Sequence, residues 1–207
     1  MHGSYHIYKY DVERPDNPNP ELQFPTRKGH EAMIYLSYII DHYDDLPWSV
    51  LFVHGHFDGA WHQEDTIVNL IEGLNRTALA LEGYISLRCE WYPSCPAEMH
   101  LSHQDAVVTG SEAQTKGTEA AISGVWNQIF PTESMPAVLA SPCCAQFAVT
   151  RPAIFRRPKS DYERLRAWLM SSLLEDELSG RVLEKLWAYI FLGEAVQYVQ
   201  TGVPLLR

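Results

Sequence analysis

The residues with most chemical capacity crowd into 41–63, DHYDDLPWSVLFVHGHFDGAWHQ. His54 and His56 flank Gly55, so an extended chain points both imidazoles to one face. Gly55 leaves room for the backbone to approach a ligand. Imidazoles take up and release protons near neutral pH, which suits a proton shuttle. Asp58, Trp61 and His62 follow closely, and the Trp61 face can stack on a cation. The His-x-His pair is also a metal-ligand spacing, but no third ligand accompanies it, so no metal or cofactor is expected. Ahead of the pair stand Asp44 and Asp45. Adjacent carboxylates can bind a cation or raise one another's pKa for acid–base work. Asp-Asp before Leu-Pro is equally ordinary turn chemistry.

Two further groups are candidates. Arg88 and Glu90 leave the next apolar run on the same side, as site residues or as a surface ion pair worth little. In LEDELSGRVLE, residues 174–184, Glu175, Asp176 and Glu177 precede a helix expected to start near Ser179. Acids there are stabilised by the helix dipole alone. Asp176 could also be a general base, with Arg181 one turn in to bind an anion. The glycine fingerprints of dinucleotide and P-loop sites and the GxSxG elbow are missing.

The elements that must position these groups read as follows. Residues 5–10 alternate around Ile7 and predict a strand; 11–27 hold four prolines and predict a loop. Residues 29–43 put Met33, Leu36, Ile40 and Tyr43 on one helical face, and Pro47 stops that helix. The run 50–53 reads as a strand covered on both sides. Residues 64–81 return to helical spacing, and 84–87 read as a strand. Residues 100–117 read as a mobile surface loop, 120–130 as a helix and 136–150 as a strand pair or strand–turn. Ser160 is expected to cap a helix through Met170, with Glu163 completing a capping box, and 178–192 form the last helix. Alternating helices and strands imply crossovers and a parallel sheet. The expected fold class is α/β: a mixed, mostly parallel, Rossmann-like sheet flanked by helices, with a helical C-terminal third, in one domain over 1–207. The polar ends of its strands should carry the site.

The chain has 207 residues, 46% of them hydrophobic, enough for a core, and a formal charge of −10 that argues against coating nucleic acid. Arg151, Arg156, Arg157, Lys159, Arg164 and Arg166 form the one dense cationic segment: a solvated helix face, or a patch for phosphate or an RNA backbone. No apolar run is long enough to cross a bilayer and no signal peptide is evident, so a cytoplasmic protein is expected. The four cysteines are too few for a disulfide scaffold and read as free thiols, although Cys89 and Cys95 are spaced for a local bridge.

The blocks KGHEAMIYLSYIIDHYDDLP, VLFVHGH, AWHQ, GYISLRCEWYPSCPAE, CCAQFAVTR, RRPKSDYERLRAWL and LSGRVLEKLW, from about residue 28 to 192, resemble in order a large, mostly fungal family of unknown function. The resemblance implies a fold related to type-A glycosyltransferases and a base in EDELSGR, but the DxD metal motif is missing. Fungal arginine-containing cyclodipeptide synthases are similar to the same family. They take both amino acids from aminoacyl-tRNA and use a DDxxE motif. Here Asp44 and Asp45 match, while Trp48 stands where the Glu belongs. Family members also begin with another strand ahead of 5–10, which this chain starts too late to contain; either a truncated sequence is expected, or another segment or a partner chain, as in a homo-oligomer, fills its place. The expected catalytic residues are therefore Asp44, Asp45, His54, His56 and Asp176. Trp61, His62, Arg88, Glu90, Gln146 and Arg181 are expected to bind substrate, either aminoacyl-tRNA or a nucleotide sugar. A non-enzymatic binding module is the remaining expectation.

Overall fold

The computed structural model describes residues 5–54, 67–87, 99–101, 111–140 and 145–196, with the backbone alone at 67 and 111–116. His56, Asp58, Trp61, His62, Arg88, Glu90 and all four cysteines lie outside the described residues.

Helix α1 (Glu31–Asp41) is the centre of the molecule. Every residue from Ala32 to Ile40 is buried. A helix apolar on all sides needs neighbours on all sides. Here it packs on α6 (Lys159–Ser171), on α7 (Asp176–Leu192) and, through Tyr35 and Tyr38, on the sheet. The sheet holds β1 (Ser49–Phe52), β2 (Tyr84–Ser86) and β5 (Phe147–Thr150) in the order β1-β5-β2. β5 is buried throughout, as the period-free FAVT run requires of a central strand. Strands β3 (Met99–His100) and β4 (Val138–Leu139) form a separate antiparallel pair. The core between sheet and helices is aromatic: Tyr35, Phe52, Tyr84, Phe147, Trp187 and Phe191 meet edge to face, tilted or, for Trp187 and Phe191, stacked.

The mixed α/β class is as expected, but the parallel sheet is not found among the described residues. β1 and β2 run parallel to one another, yet β5 is inserted between them and pairs antiparallel with both. Residues 5–10 form no strand; Tyr8 and Tyr10 lie against Tyr38 and Phe24 as loop residues. The single helix expected over 64–81 is two. α2 (Ile67–Gly73) ends, and Asn75 caps α3 (Arg76–Glu82) by accepting from the Thr77 and Ala78 amides. Part of the expected loop 100–117 belongs to α4 (Ser111–Ile129). Helix α6 begins after Pro158 without a side-chain cap, so Ser160 is inside the helix and the capping box does not form. The cap signal is realised instead at Thr150, whose hydroxyl accepts from Ala153 N–H at the start of α5 (Arg151–Ile154).

Candidate functional site

Site geometry follows from the order α1, turn, β1. The two elements run in opposite directions, so the start of α1 and the end of β1 lie at one edge. The turn holding Asp44 and Asp45 lies at the other. An eleven-residue helix separates those edges by about 16 Å. Asp44 and Asp45 are 89% and 78% exposed, pairing with Lys159 at 3.8 Å and His42 at 3.7 Å. The turn is tied down by Tyr43 O–H donating to the Arg157 carbonyl and by Arg151 donating to the Leu46 carbonyl. These two carboxylates are a solvated turn, as the plainer reading of Asp-Asp-Leu-Pro has it. Trp48 is 45% exposed beside them.

His54 stands at the other edge, two residues past β1. Its Nε2 lies 4.0 Å from Glu31 Oε1, and neither side chain is more than 25% exposed. Glu31 opens α1. Burial pushes its carboxyl from 4.5 up to about 7; a backbone hydrogen bond opposes the shift, and the charge of Glu184 on α7 adds to it. Glu31 and Tyr35 stand one turn apart on α1, and Glu184 and Trp187 one turn apart on α7, so two side chains from each helix share this end of the core. The Tyr35 ring lies 5.8 Å from that of Trp187 and 4.6 Å from Phe52 of β1. The Tyr35 hydroxyl and Trp187 Nε1 are buried without a hydrogen-bond partner among the described residues. Leaving a buried donor unmade costs about 1–3 kcal/mol each.

Asp176, the first residue of α7, joins this edge from the other side. It accepts the Gly29 N–H in a short hydrogen bond and lies 3.7 Å from His30 Nε2. Lys28 donates to the Leu174 carbonyl at 2.6 Å. The chain between these ties is strained: His30 has φ 52 and ψ −132, a region that costs an L-residue on the order of 1–3 kcal/mol. Gly180 permits the approach, since a Cβ there would stand 3.0 Å from His30 Cδ2 and 3.2 Å from the Gly29 oxygen. Asp176 and Gly180 thus clamp the Lys28–Glu31 turn, and that clamp sets where Glu31 enters the interior. Asp176 and Glu177 lie inside the first turn of α7, which starts three residues earlier than Ser179. Arg181 is engaged on its own helix, donating to Glu177.

Strand register places the remaining groups. Phe52 and Ser86 both align with Phe147, so β1 and β2 end at the same edge. Gln146, just ahead of β5, is therefore beside Val53, and its carbonyl accepts from Leu87 N–H. His54, Gln146 and Asp176 share the edge where Glu31 lies; Asp44 and Asp45 do not. Sequence reasoning passed over Glu31, Tyr35, Glu184 and Trp187. The available signal was an acid opening a helix that is otherwise apolar all round. Among the described residues no three His, Cys, Asp or Glu gather closely enough to hold a metal ion.

The cationic segment is only partly spent inside the fold: Arg157 is buried, while Arg151 and Arg156 are exposed and Lys159 pairs with the exposed Asp44. Arg157 is buried against Glu133 and Phe130 and donates to the Ile190 carbonyl. Arg151, Arg156 and Arg164 reach the carbonyls of Leu46, Leu192 and Ile129, and Arg166 reaches Ser37.

A profile described as a protein of unknown function, DUF3431, matches residues 2–203, so the chain belongs to that family. No curated protein and no solved structure matches it. No helix among the described residues is long and apolar enough to cross a membrane.

Proposed function

We propose that the chain is a biosynthetic transferase that forms amide bonds. In its most specific form it is an aminoacyl-tRNA-dependent synthase of arginine-containing cyclic dipeptides, acting in fungal secondary metabolism. One observation carries this reading: a partly buried carboxyl, Glu31, poised at about 7 within reach of His54 and facing a second carboxylate, Glu184. A base whose pKa lies near the working pH removes a proton from an attacking amine most effectively. Two carboxylates also favour a cationic substrate, and an arginyl group carries both an amine and a guanidinium.

In this reading the amine of one aminoacyl group attacks the ester carbonyl of the other. The new C–N bond replaces the C–O bond to the tRNA ribose. Glu31 takes the amine proton and His54 returns one to the departing ribose oxygen. A second aminolysis within the dipeptidyl ester closes the ring and releases the second tRNA.

The test is expression of the soluble protein in a host with normal tRNA pools, followed by mass spectrometry of the medium. A new arginine-containing diketopiperazine, lost in Glu31→Gln, is expected. Its absence with folded protein present would remove the reading.

A further inference from the structure

The Asp176 carboxylate is aimed at the start of α1. One oxygen accepts the Gly29 N–H, and the other lies 3.7 Å from His30 Nε2. Gly29 and His30 are consecutive residues with positive φ, 71° and 52°, a pairing that turns the chain sharply into the helix. A Cβ at Gly29 would overlap the Leu169 side chain, so only glycine fits there. The Gly29 carbonyl in turn accepts the Ala32 N–H at 3.1 Å in the first turn of α1. Gly29 is therefore held on both sides, and Glu31 lies within the held span. The anchor is itself fixed. The Asp176 carbonyl accepts the Ser179 O–H, and two residues earlier the Leu174 carbonyl accepts from Lys28 Nζ. An L-residue keeps the conformation of His30 only where its surroundings hold it there.

We propose that Asp176 is a positioning residue: its grip on the Gly29 N–H and the His30 imidazole holds the strained turn, and the turn sets the Glu31 carboxyl 4.0 Å from His54. The grip needs an oxygen acceptor, not a base. Asparagine offers the same oxygen without the charge, and alanine offers none. Burial first, and then the Glu184 charge, raise the Glu31 carboxyl, so removing the Asp176 charge alone should leave Glu31 where it is. The catalytic consequence rests on Glu31 as the base of the reading above; the placing of Glu31 does not.

The test compares Asp176→Asn with Asp176→Ala. A carbon-13 titration of the Glu31 carboxyl should keep its midpoint near 7 in the wild-type chain and in Asp176→Asn, and should drop toward 4.5 in Asp176→Ala. The Gly29 amide hydrogen should exchange slowly in the first two and quickly in the third. With arginyl-tRNA and a second aminoacyl-tRNA, Asp176→Ala should lose at least about tenfold in kcat with KM little changed, and Asp176→Asn should keep most of the rate. Should Asp176→Ala not fold, the Glu31 midpoint and the Gly29 exchange in Asp176→Asn decide. Asp176→Asn as slow as a dead base, with Glu31 titrating as in the wild type, would make Asp176 a reacting group and overturn the proposal. A Gly29 amide unprotected in the wild-type chain, or a Glu31 midpoint unmoved in folded Asp176→Ala, would overturn it too. If the wild-type chain forms no product, the amide-forming reading falls, while titration and exchange still test the grip.

Discussion

Replacing Glu31 by Gln isolates the charge that the fold resists. Glutamine keeps the shape of a protonated carboxyl and never ionises. In the wild-type chain the folded-state pKa of about 7 exceeds the ordinary 4.5. Between those values the folded protein holds a proton that the unfolded chain has lost. Stability therefore falls as pH rises through this window, and the penalty is complete above 7. The shift corresponds to about 3 kcal/mol, an order-of-magnitude figure at 1.36 kcal/mol per unit. Glu31→Gln lacks the slope. Urea unfolding at pH 4.5 should find the two proteins close in stability, and at pH 8 should find Glu31→Gln more stable by about 2–3 kcal/mol. Other titrations are common to both chains and cancel in the difference. A difference that does not change between pH 4.5 and 8, or a wild-type advantage at pH 8, would refute the raised Glu31 carboxyl.

Glu133→Ala strands the buried Arg157 guanidinium and should cost about 3 kcal/mol at pH 7 by urea unfolding. The Arg157 hydrogen bonds hold Glu133 below the usual carboxylate range, so its contribution is present above the ordinary value and fades as pH falls through the lowered one. Gly180→Ala forces a methyl against the Gly29 carbonyl and should lower stability by about 1–3 kcal/mol and move the Glu31 carboxyl carbon resonance in a 13C titration. Asp44→Ala and Asp45→Ala, at exposed positions, should each change stability by less than about 0.5 kcal/mol and leave the Glu31 titration where it is. Nucleotide sugars, with or without manganese, should leave the melting temperature unmoved; a clear rise would favour a glycosyltransferase instead.

The elements near the site were largely legible because they are local. The apolar run ending at His54 announced β1, and the spacing of LSGRVLEKLW announced α7. The sheet was not legible, because inserting β5 between β1 and β2 is a long-range choice that alternation does not encode. Asp44 and Asp45 drew attention as adjacent acids, yet their place ahead of β1 puts them at the edge opposite His54. Glu31 was passed over for the opposite reason. An acid in the first turn of a helix is ordinarily solvated and favoured by the dipole. The placement of α7 across α1, held by Gly180 and Asp176, is what buries it. Residues 5–10 misled through alternation alone: Tyr8 and Tyr10 rest on helix and loop rather than on a neighbouring strand.

The central claim is that Glu31 serves amide formation from aminoacyl-tRNA. Its most direct measurement is a reconstituted reaction with purified arginyl-tRNA and a second aminoacyl-tRNA, read by mass spectrometry for the cyclic dipeptide. The wild-type chain should form product with a rate rising through pH 7, and Glu31→Gln, folded and stable, should be at least about a hundredfold slower. No product from the wild-type chain, or equal rates from the two, would contradict the account.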